Sequence, residues 1–215
     1  MSISGRRRGR LTSTSYAVLG LLAAGPRTSY ELARQVARGL RFVWPRAEGR
    51  IYDEPKVLAA HGLAVASKEL TGRRPRTVYS ITAPGRRALR DWLAEPARGP
   101  ALEYETLLKV VFAAAGTKAG LLAHLTAVRE HAAAGLETGR ARADEYGGER
   151  VPLPEHLAIN ALLWRFLWGY YSAIADWADW AAGVVSQWPD DMNPTAATQA
   201  WAMDLFRSAP PPHDR

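Results

Sequence analysis

Cysteine is absent from this 215-residue chain. Its absence excludes disulfides, thiolate zinc fingers and thiol nucleophiles, and fits a reducing compartment. The chain has no P-loop, no dinucleotide-binding glycine pattern and no G-x-S-x-G elbow, so the enzyme classes built on those motifs are excluded. His124 and His131, seven residues apart near Glu130, match no standard zinc spacing and read as surface histidines. No catalytic residue, metal ligand or cofactor is expected, and the chain is not read as an enzyme. A secretory signal is also missing: the basic stretch Gly5-Arg6-Arg7-Arg8-Gly9-Arg10 is followed by an apolar run, 17–24, that ends in Gly25-Pro26 without a small-residue cleavage pattern. The expected location is the cytoplasm.

Long apolar runs are nearly lacking. Residues 157–175 come closest, interrupted only by Asn160, Arg165, Gly169 and Ser172. Arg165 falls near the middle, where a charge is costly in hydrocarbon, and the helical pattern runs on through Asp176 and Asp179. A helix buried between protein helices is therefore favoured over a membrane span.

Acidic residues are scarce in the front half. Residues 1–98 hold 19 Lys and Arg against 7 Asp and Glu, net +12, whereas 99–215 hold 9 against 14, net −5. Attraction to phosphate and counterion release make such a front half suited to nucleic acid; a merely solvated arginine-rich face is the alternative. The charge step near Pro96-Ala97-Arg98-Gly99-Pro100 argues for two domains. The expected divisions are a disordered basic arm over 1–12, a DNA-binding domain over 13–95, a helical domain over 101–207 and a flexible tail over 208–215.

In the front half, Ser13-Thr14-Ser15 offers cap oxygens for a helix over 16–24, closed by Gly25-Pro26. Thr28-Ser29 caps a second over 30–40, with Leu32, Ala33, Val36 and Leu40 on one face. A third is expected from Arg46 or Ala47 to His61, with Ile51, Leu58 and Ala59 inward. Gly62 closes it. Residues 63–70 and 77–82 then read as two strands joined through Thr71-Gly72, with Arg73, Arg74 and Arg76 around the rigid Pro75 at the hairpin tip. Thr82 caps a fourth helix over 83–93. Helix, strand, basic turn, strand is the order of a winged helix, whose wing reaches the DNA backbone.

In order along the chain, Ser15-Tyr16-Ala17-Val18-Leu19-Gly20-Leu21-Leu22, Gly25-Pro26-Arg27-Thr28-Ser29-Tyr30-Glu31-Leu32, Gly49-Arg50-Ile51-Tyr52, His61-Gly62-Leu63 and Arg74-Pro75-Arg76-Thr77-Val78-Tyr79-Ser80-Ile81-Thr82 with Gly85 resemble the PadR family of transcriptional regulators. The resemblance covers most of 13–93, and the longer back half is similar to the helical C-terminal region of the subgroup with an extended dimerisation domain. It implies a mainly α protein, an N-terminal winged helix-turn-helix domain followed by a C-terminal antiparallel helical dimerisation domain. It implies, further, a homodimer, usually a repressor, whose affinity for a palindromic operator responds to a small molecule. One departure stands out in Tyr52-Asp53-Glu54-Pro55: the family commonly has a proline directly after the tyrosine and a leucine where Pro55 stands. The third helix is then either kinked near Glu54 or begins afresh with Asp53 as N-cap and Pro55 in its first turn.

The candidate DNA-binding residues are Ser29, Tyr30, Arg46, Arg50, Tyr52, Lys56, Arg73, Arg74 and Arg76. Arg50, in the early turns of the presumed recognition helix, either pairs with guanine O6 and N7 or is simply solvated. Tyr52 contacts a phosphate or base, or packs in the core. The resemblance places the Tyr30 hydroxyl near the DNA backbone, core packing being the alternative. Arg73, Arg74 and Arg76 hold phosphates or probe the minor groove; Lys56 and Arg46 are outward basic residues. The rival reading is a winged-helix module used mainly for protein contacts, its basic wing meeting an acidic partner.

In the back half, helices are expected over 105–115, 118–145, 155–187 and 194–206. Leu121, Leu125, Val128, Ala132 and Leu136 form an a/d-like seam for antiparallel packing. A helical hairpin apolar on more than one face calls for a partner helix, hence a homodimer. Trp164 and Trp168, four apart, share a face; with Arg165 and Tyr171 they are candidates for stacking a flat aromatic effector and pairing its carboxylate, ordinary dimer core being the alternative.

Overall fold

The computed structural model describes residues 11–44, 50–71, 74–97, 99–148 and 156–208, and of Arg41, Thr71 and Arg74 the backbone alone. Expectations for the arm over 1–10, the residues Arg46 and Arg73, the hairpin turn at Gly72 and the tail over 209–215 lie outside the described residues. The chain divides into two units, Met1–Pro100 and Ala101–Arg215.

The first unit begins with α1 (Ser13–Ala23), one turn earlier than the serine-rich stretch suggests. The cap is Thr12, whose hydroxyl accepts from the Ser15 backbone N–H, while Ser15 Oγ accepts from the Thr12 N–H. That reciprocal pair satisfies two N–H groups a helix start leaves open, and leaves Thr14 and Ser15 inside the helix and buried. Helix α2 (Ser29–Arg38) has the same device with the longer partner: Thr28 caps, and Glu31 reaches back to the Thr28 N–H. Its Leu32 and Val36, one turn apart, are both fully buried.

Helix α3 (Glu54–Ala60) is shorter than the span from Arg46 or Ala47 and takes the second of the two expected arrangements, beginning afresh after Asp53. Pro55 stands in its first turn, where the missing N–H would have had no helical partner. Asp53 is the N-cap residue, but its side chain makes no capping bond and pairs instead with Lys56. Gly62, at φ 71°, supplies the left-handed residue after the helix.

Strands β1 (Ala64–Thr71) and β2 (Arg74–Ile81) pair antiparallel from Ala64↔Ile81 to Thr71↔Arg74. Arg74, Pro75 and Arg76 therefore lie within the strand, not in the turn. At the base of the hairpin, Arg27 and Tyr79 exchange both backbone hydrogen bonds, at 3.0 and 2.9 Å, so Arg27 acts as a one-residue third strand. Successive residues Val78 and Tyr79 are both buried, since β2 packs against both α1 and α2. Helix α4 (Ala83–Ala94), capped by Thr82 as expected, closes the unit. Val18, Leu19, Leu22, Leu32, Val36, Ile51 and Leu58 form the core; burying such a side chain is worth roughly 1.5–3 kcal/mol.

The second unit is helical: α5 (Glu105–Val111), a 3-10 turn (Ala113–Ala115), α6 (Lys118–Gly147), α7 (Leu157–Ser186) and α8 (Ala196–Arg207). Thr117 and Thr195 cap α6 and α8. Helices α6 and α7 run antiparallel, as the Lys118–Trp188, Arg129–Asp179, Trp164–Gly139 and Asn160–Tyr146 contacts show. Leu121, Leu125, Val128 and Ala132 of the seam are buried; Leu136 is half-buried. Among the described residues, no helix is long and apolar enough to cross a membrane.

Candidate nucleic-acid interface

Two anchors hold the surface elements of the first unit in place. Ile51 is buried in the core and fixes the turn that leads into α3, so its neighbours Arg50 and Tyr52 turn outward. Glu54, first residue of α3, is buried and accepts a hydrogen bond from Ser15 of α1. Arg50 and Tyr52 thus precede α3; they are not in its early turns, because Pro55 fixes where the regular helix begins.

Tyr30, at the second position of α2, is 66% exposed, and Tyr52 is 54% exposed. The core-packing alternative for both rings is thereby removed. Ser29 is half-buried beside Tyr30. Lys56 lies outward and donates to Asp53 Oδ1 at 2.9 Å, and that bond, with the Asp53 charge, raises the pKa of its ammonium above the usual value. The cation is kept, with a neighbouring anion to compete for it.

Arg76 is placed next to α2 by two ion pairs. Its guanidinium lies 3.1 Å from Glu69, directly across the strand pair, and 4.0 Å from Glu31. The Glu31 carboxyl is held below its usual range, foremost by the Thr28 backbone N–H and then by the Thr28 hydroxyl, with Arg76 and Arg27 adding attraction and burial opposing. The arginines here stand out in the sequence as a basic cluster, whereas Glu31 and Glu69 do not. The capping-box spacing Thr28-x-x-Glu31 was the available signal for the first; the second follows only from strand register. Arg34 and Arg38 of α2 and Arg86, Arg87 and Arg90 of α4 add to the basic character of the unit.

In the second unit the four effector candidates do not come together. Trp164 and Trp168 stack at 5.5 Å between centroids, and Trp164 Nε1 donates to the Gly139 carbonyl at 2.9 Å. Tyr171 lies over Gly135 and edge-on to His131. These three rings face α6. Arg165 instead lines an open groove of about 590 Å³ with Leu162, Phe166, Gly169 and Tyr170. The Tyr104 hydroxyl, just before α5, has its pKa raised by burial, with the nearby Tyr170 adding and a bond to Thr106 opposing. Among the described residues no cluster of His, Asp and Glu is arranged to hold a metal ion.

Comparison with known proteins divides along the same two units. Residues 18–91 match the transcriptional regulator PadR-like family, and residues 104–186 match the family described as virulence activator alpha C-term. The chain is 31% identical over 136 residues to the probable transcriptional regulator Rv1176c of Mycobacterium tuberculosis, covering 58% of this chain and 72% of the relative. Its fold is similar to that of Bacillus subtilis PadR in complex with operator DNA, with a TM-score of 0.70 at 20% identity over 81% of this chain and 99% of the other. Bacillus subtilis PadR in complex with p-coumaric acid gives a TM-score of 0.64 at 19% identity, over 83% and 99%.

Proposed function

The chain belongs to the PadR-like family of transcriptional regulators, non-enzymatic DNA-binding proteins, and from that premise we propose that it is a homodimeric repressor released from a palindromic operator by a small aromatic effector. The observation that carries the DNA reading is the exposure of Tyr30 on α2 and of Tyr52 just before α3, 66% and 54%, in a half of net charge +12. Two hydroxyl-bearing rings left in water on a helix-turn-helix unit have no structural use there and suit a phosphate-lined partner. In this reading Ser29 and Tyr30 meet the backbone, Arg50 and Tyr52 meet base edges, and Lys56 and Arg76 meet phosphates. Arg46 and Arg73, outside the described residues, and Arg74, described by its backbone alone, join this set on charge alone. The DNA-binding domain is 13–95 and the dimerisation domain 101–207, acting in the cytoplasm.

Dimerisation is supported by the outer face of α7, where Ile159, Leu162 and Phe166 are each about two-thirds exposed at helical spacing. So large an apolar stripe is unfavourable in water and is covered by a second copy of the same helix. The two-fold axis then supplies paired wings and a palindromic target. Effector release is supported by Arg165 and Tyr170, a cation and an aromatic ring in a groove that shares Leu162 and Phe166 with this dimer face, so that the effector site lies at the edge of the dimer contact, and by the p-coumaric acid complex of the Bacillus subtilis protein. Repression is steric, by occupancy of a promoter.

Genome-wide recovery of bound DNA followed by footprinting tests this reading. The expected footprint is two dyad-related half-sites about one helical turn, roughly 10 base pairs, apart or a multiple of it. Binding insensitive to salt, or no binding to duplex DNA, would defeat it.

A further inference from the structure

Arg76 sits between two carboxylates. Its Nη2 lies 3.1 Å from Glu69 Oε2 and its Nη1 lies 4.0 Å from Glu31 Oε1. The other Glu31 oxygen, Oε2, accepts from the Thr28 N–H at 2.7 Å and the Thr28 hydroxyl at 3.0 Å, so the cap of α2 fixes this carboxylate beside the wing. Glu69 is fixed by register, directly opposite Arg76 in the strand pair. One guanidinium thus faces two anions, with Arg27 also within electrostatic reach of Glu31, inside the unit whose overall charge is strongly positive. All three side chains are a little under half exposed, at 44%, 44% and 47%, so the pairs are solvated and individually weak.

We propose that Glu31 and Glu69 hold Arg76 in reserve: its guanidinium reaches a DNA phosphate only by leaving Glu31, so these two acidic residues limit how tightly the wing holds DNA of any sequence. The inference rests on the reading of the wing as a DNA contact. The 4.0 Å contact is the longer and is released first. The Glu69 pair, made across one hairpin, travels with the wing. A phosphate offers two oxygens to the freed face of the guanidinium, a stronger partner than a single carboxylate oxygen at that distance. Affinity that is held down in this way is the sequence-independent part, which leaves base contacts around Arg50 a larger share of the total.

The test is a salt titration of the full chain against a random-sequence duplex, read by fluorescence anisotropy. Glu31→Gln removes the charge and keeps a residue able to complete the capping box; Glu69→Gln removes the other charge on an exposed strand position. Glu31→Gln is expected to bind roughly two- to fivefold tighter than the parent, the range of a solvated ion pair, and Glu69→Gln to gain less, because its pair need not break. Arg76→Ala is expected to bind more weakly, with the salt dependence flattened by about one unit of slope. In the Arg76→Ala background both gains should vanish. Equal gains in both backgrounds would overturn the proposal, since the carboxylates would then repel DNA directly; weaker binding by both Gln variants at unchanged melting temperature would overturn it too, making the pairs a strut for the wing. An Arg76→Ala variant with unaltered affinity and slope, in a protein that still binds DNA salt-dependently, overturns this inference and the Arg76 contact with phosphate, and leaves the DNA reading standing. Absence of salt-dependent binding by the parent overturns it together with the DNA reading.

Discussion

The hydroxyl of Ser15 donates to Oε1 of Glu54 at 2.5 Å, across 39 residues of chain and within the core of the first unit. Through this bond α1 fixes the first residue of α3, and with it the turn that presents Arg50 and Tyr52. Ser15 also completes the cap of its own helix, so one hydroxyl serves both elements.

Removing that hydroxyl leaves a buried carboxylate short of its donor. Ser15→Ala should lower stability by about 1–3 kcal/mol, measured by urea denaturation of the full chain. Glu54→Gln, which retains an acceptor oxygen, should lose less. Equal losses would mean that the charge on Glu54 contributes most of the interaction.

Two glycines are required by close approach. A Cβ at Gly85 would run into the Leu63 carbonyl oxygen, and would lie 2.9 Å from Ile81 Cγ1. Because the obstacle is backbone, Gly85→Ala should cost about 3 kcal/mol or more. A Cβ at Gly135 would sit 2.5 Å from the Tyr171 ring, against 3.2 Å from Trp168 at Gly139. Gly135→Ala should therefore destabilise the α6–α7 pair, while at Gly139 the gain in helix propensity, roughly 1 kcal/mol, should offset most of the crowding. Thermal melting of the three variants checks this order.

DNA contacts separate into two mutant classes. Arg74→Ala and Arg76→Ala should each weaken binding to all duplexes and flatten the salt dependence by about one unit of slope. Arg50→Ala should instead relax sequence preference, by about 1–3 kcal/mol at one base pair. Parallel titrations against operator and random duplex distinguish them; unchanged slopes for the wing variants would count against phosphate contact there.

The pKa of Glu31 lies below its usual 4.5 in the folded chain. A depressed folded value means that its contribution to stability is fully present above about 4.5 and is lost as pH falls through the lower folded value. The melting-temperature gap between the parent and Glu31→Ala should accordingly be widest near neutrality and close in acid. A gap that stays constant down to about pH 3 would show that the charge of Glu31 is not what stabilises the cap.

A small aromatic carboxylate should quench tryptophan fluorescence saturably and release DNA over the same concentration range. Arg165→Ala should abolish both effects. Quenching that persists without release would leave binding in place and defeat regulation.

Much of the first unit was legible because its signals are local. Thr28 and Thr82 cap the helices their positions suggest, each through a bond to a backbone N–H three residues on. Thr12 was passed over because its capping-box partner is Ser15, shorter than the usual Glu or Gln and itself placed among cap-like neighbours. The length of α3 was misjudged because apolar periodicity through Ile51 and Leu58 spans a turn and a helix alike, and only the position of Pro55 separates them. In the second unit the shared face of Trp164 and Trp168 was legible from their spacing. Arg165 is one residue, about 100° of helix, further round, so its separation from them was also legible in principle.

By itself, then, the sequence determined the order of elements, the caps at Thr28 and Thr82, the charge of each half and the family, since each depends on residues close together in the chain or on their sum. Tertiary structure alone decided which charges meet. That Arg76 faces both Glu69 and Glu31 depends on strand register and on the placement of α2 against the hairpin, and that Ser15 reaches Glu54 depends on the packing of α1 against α3. Such contacts join residues that no local pattern relates, because burial of the core, not sequence proximity, brings their elements together.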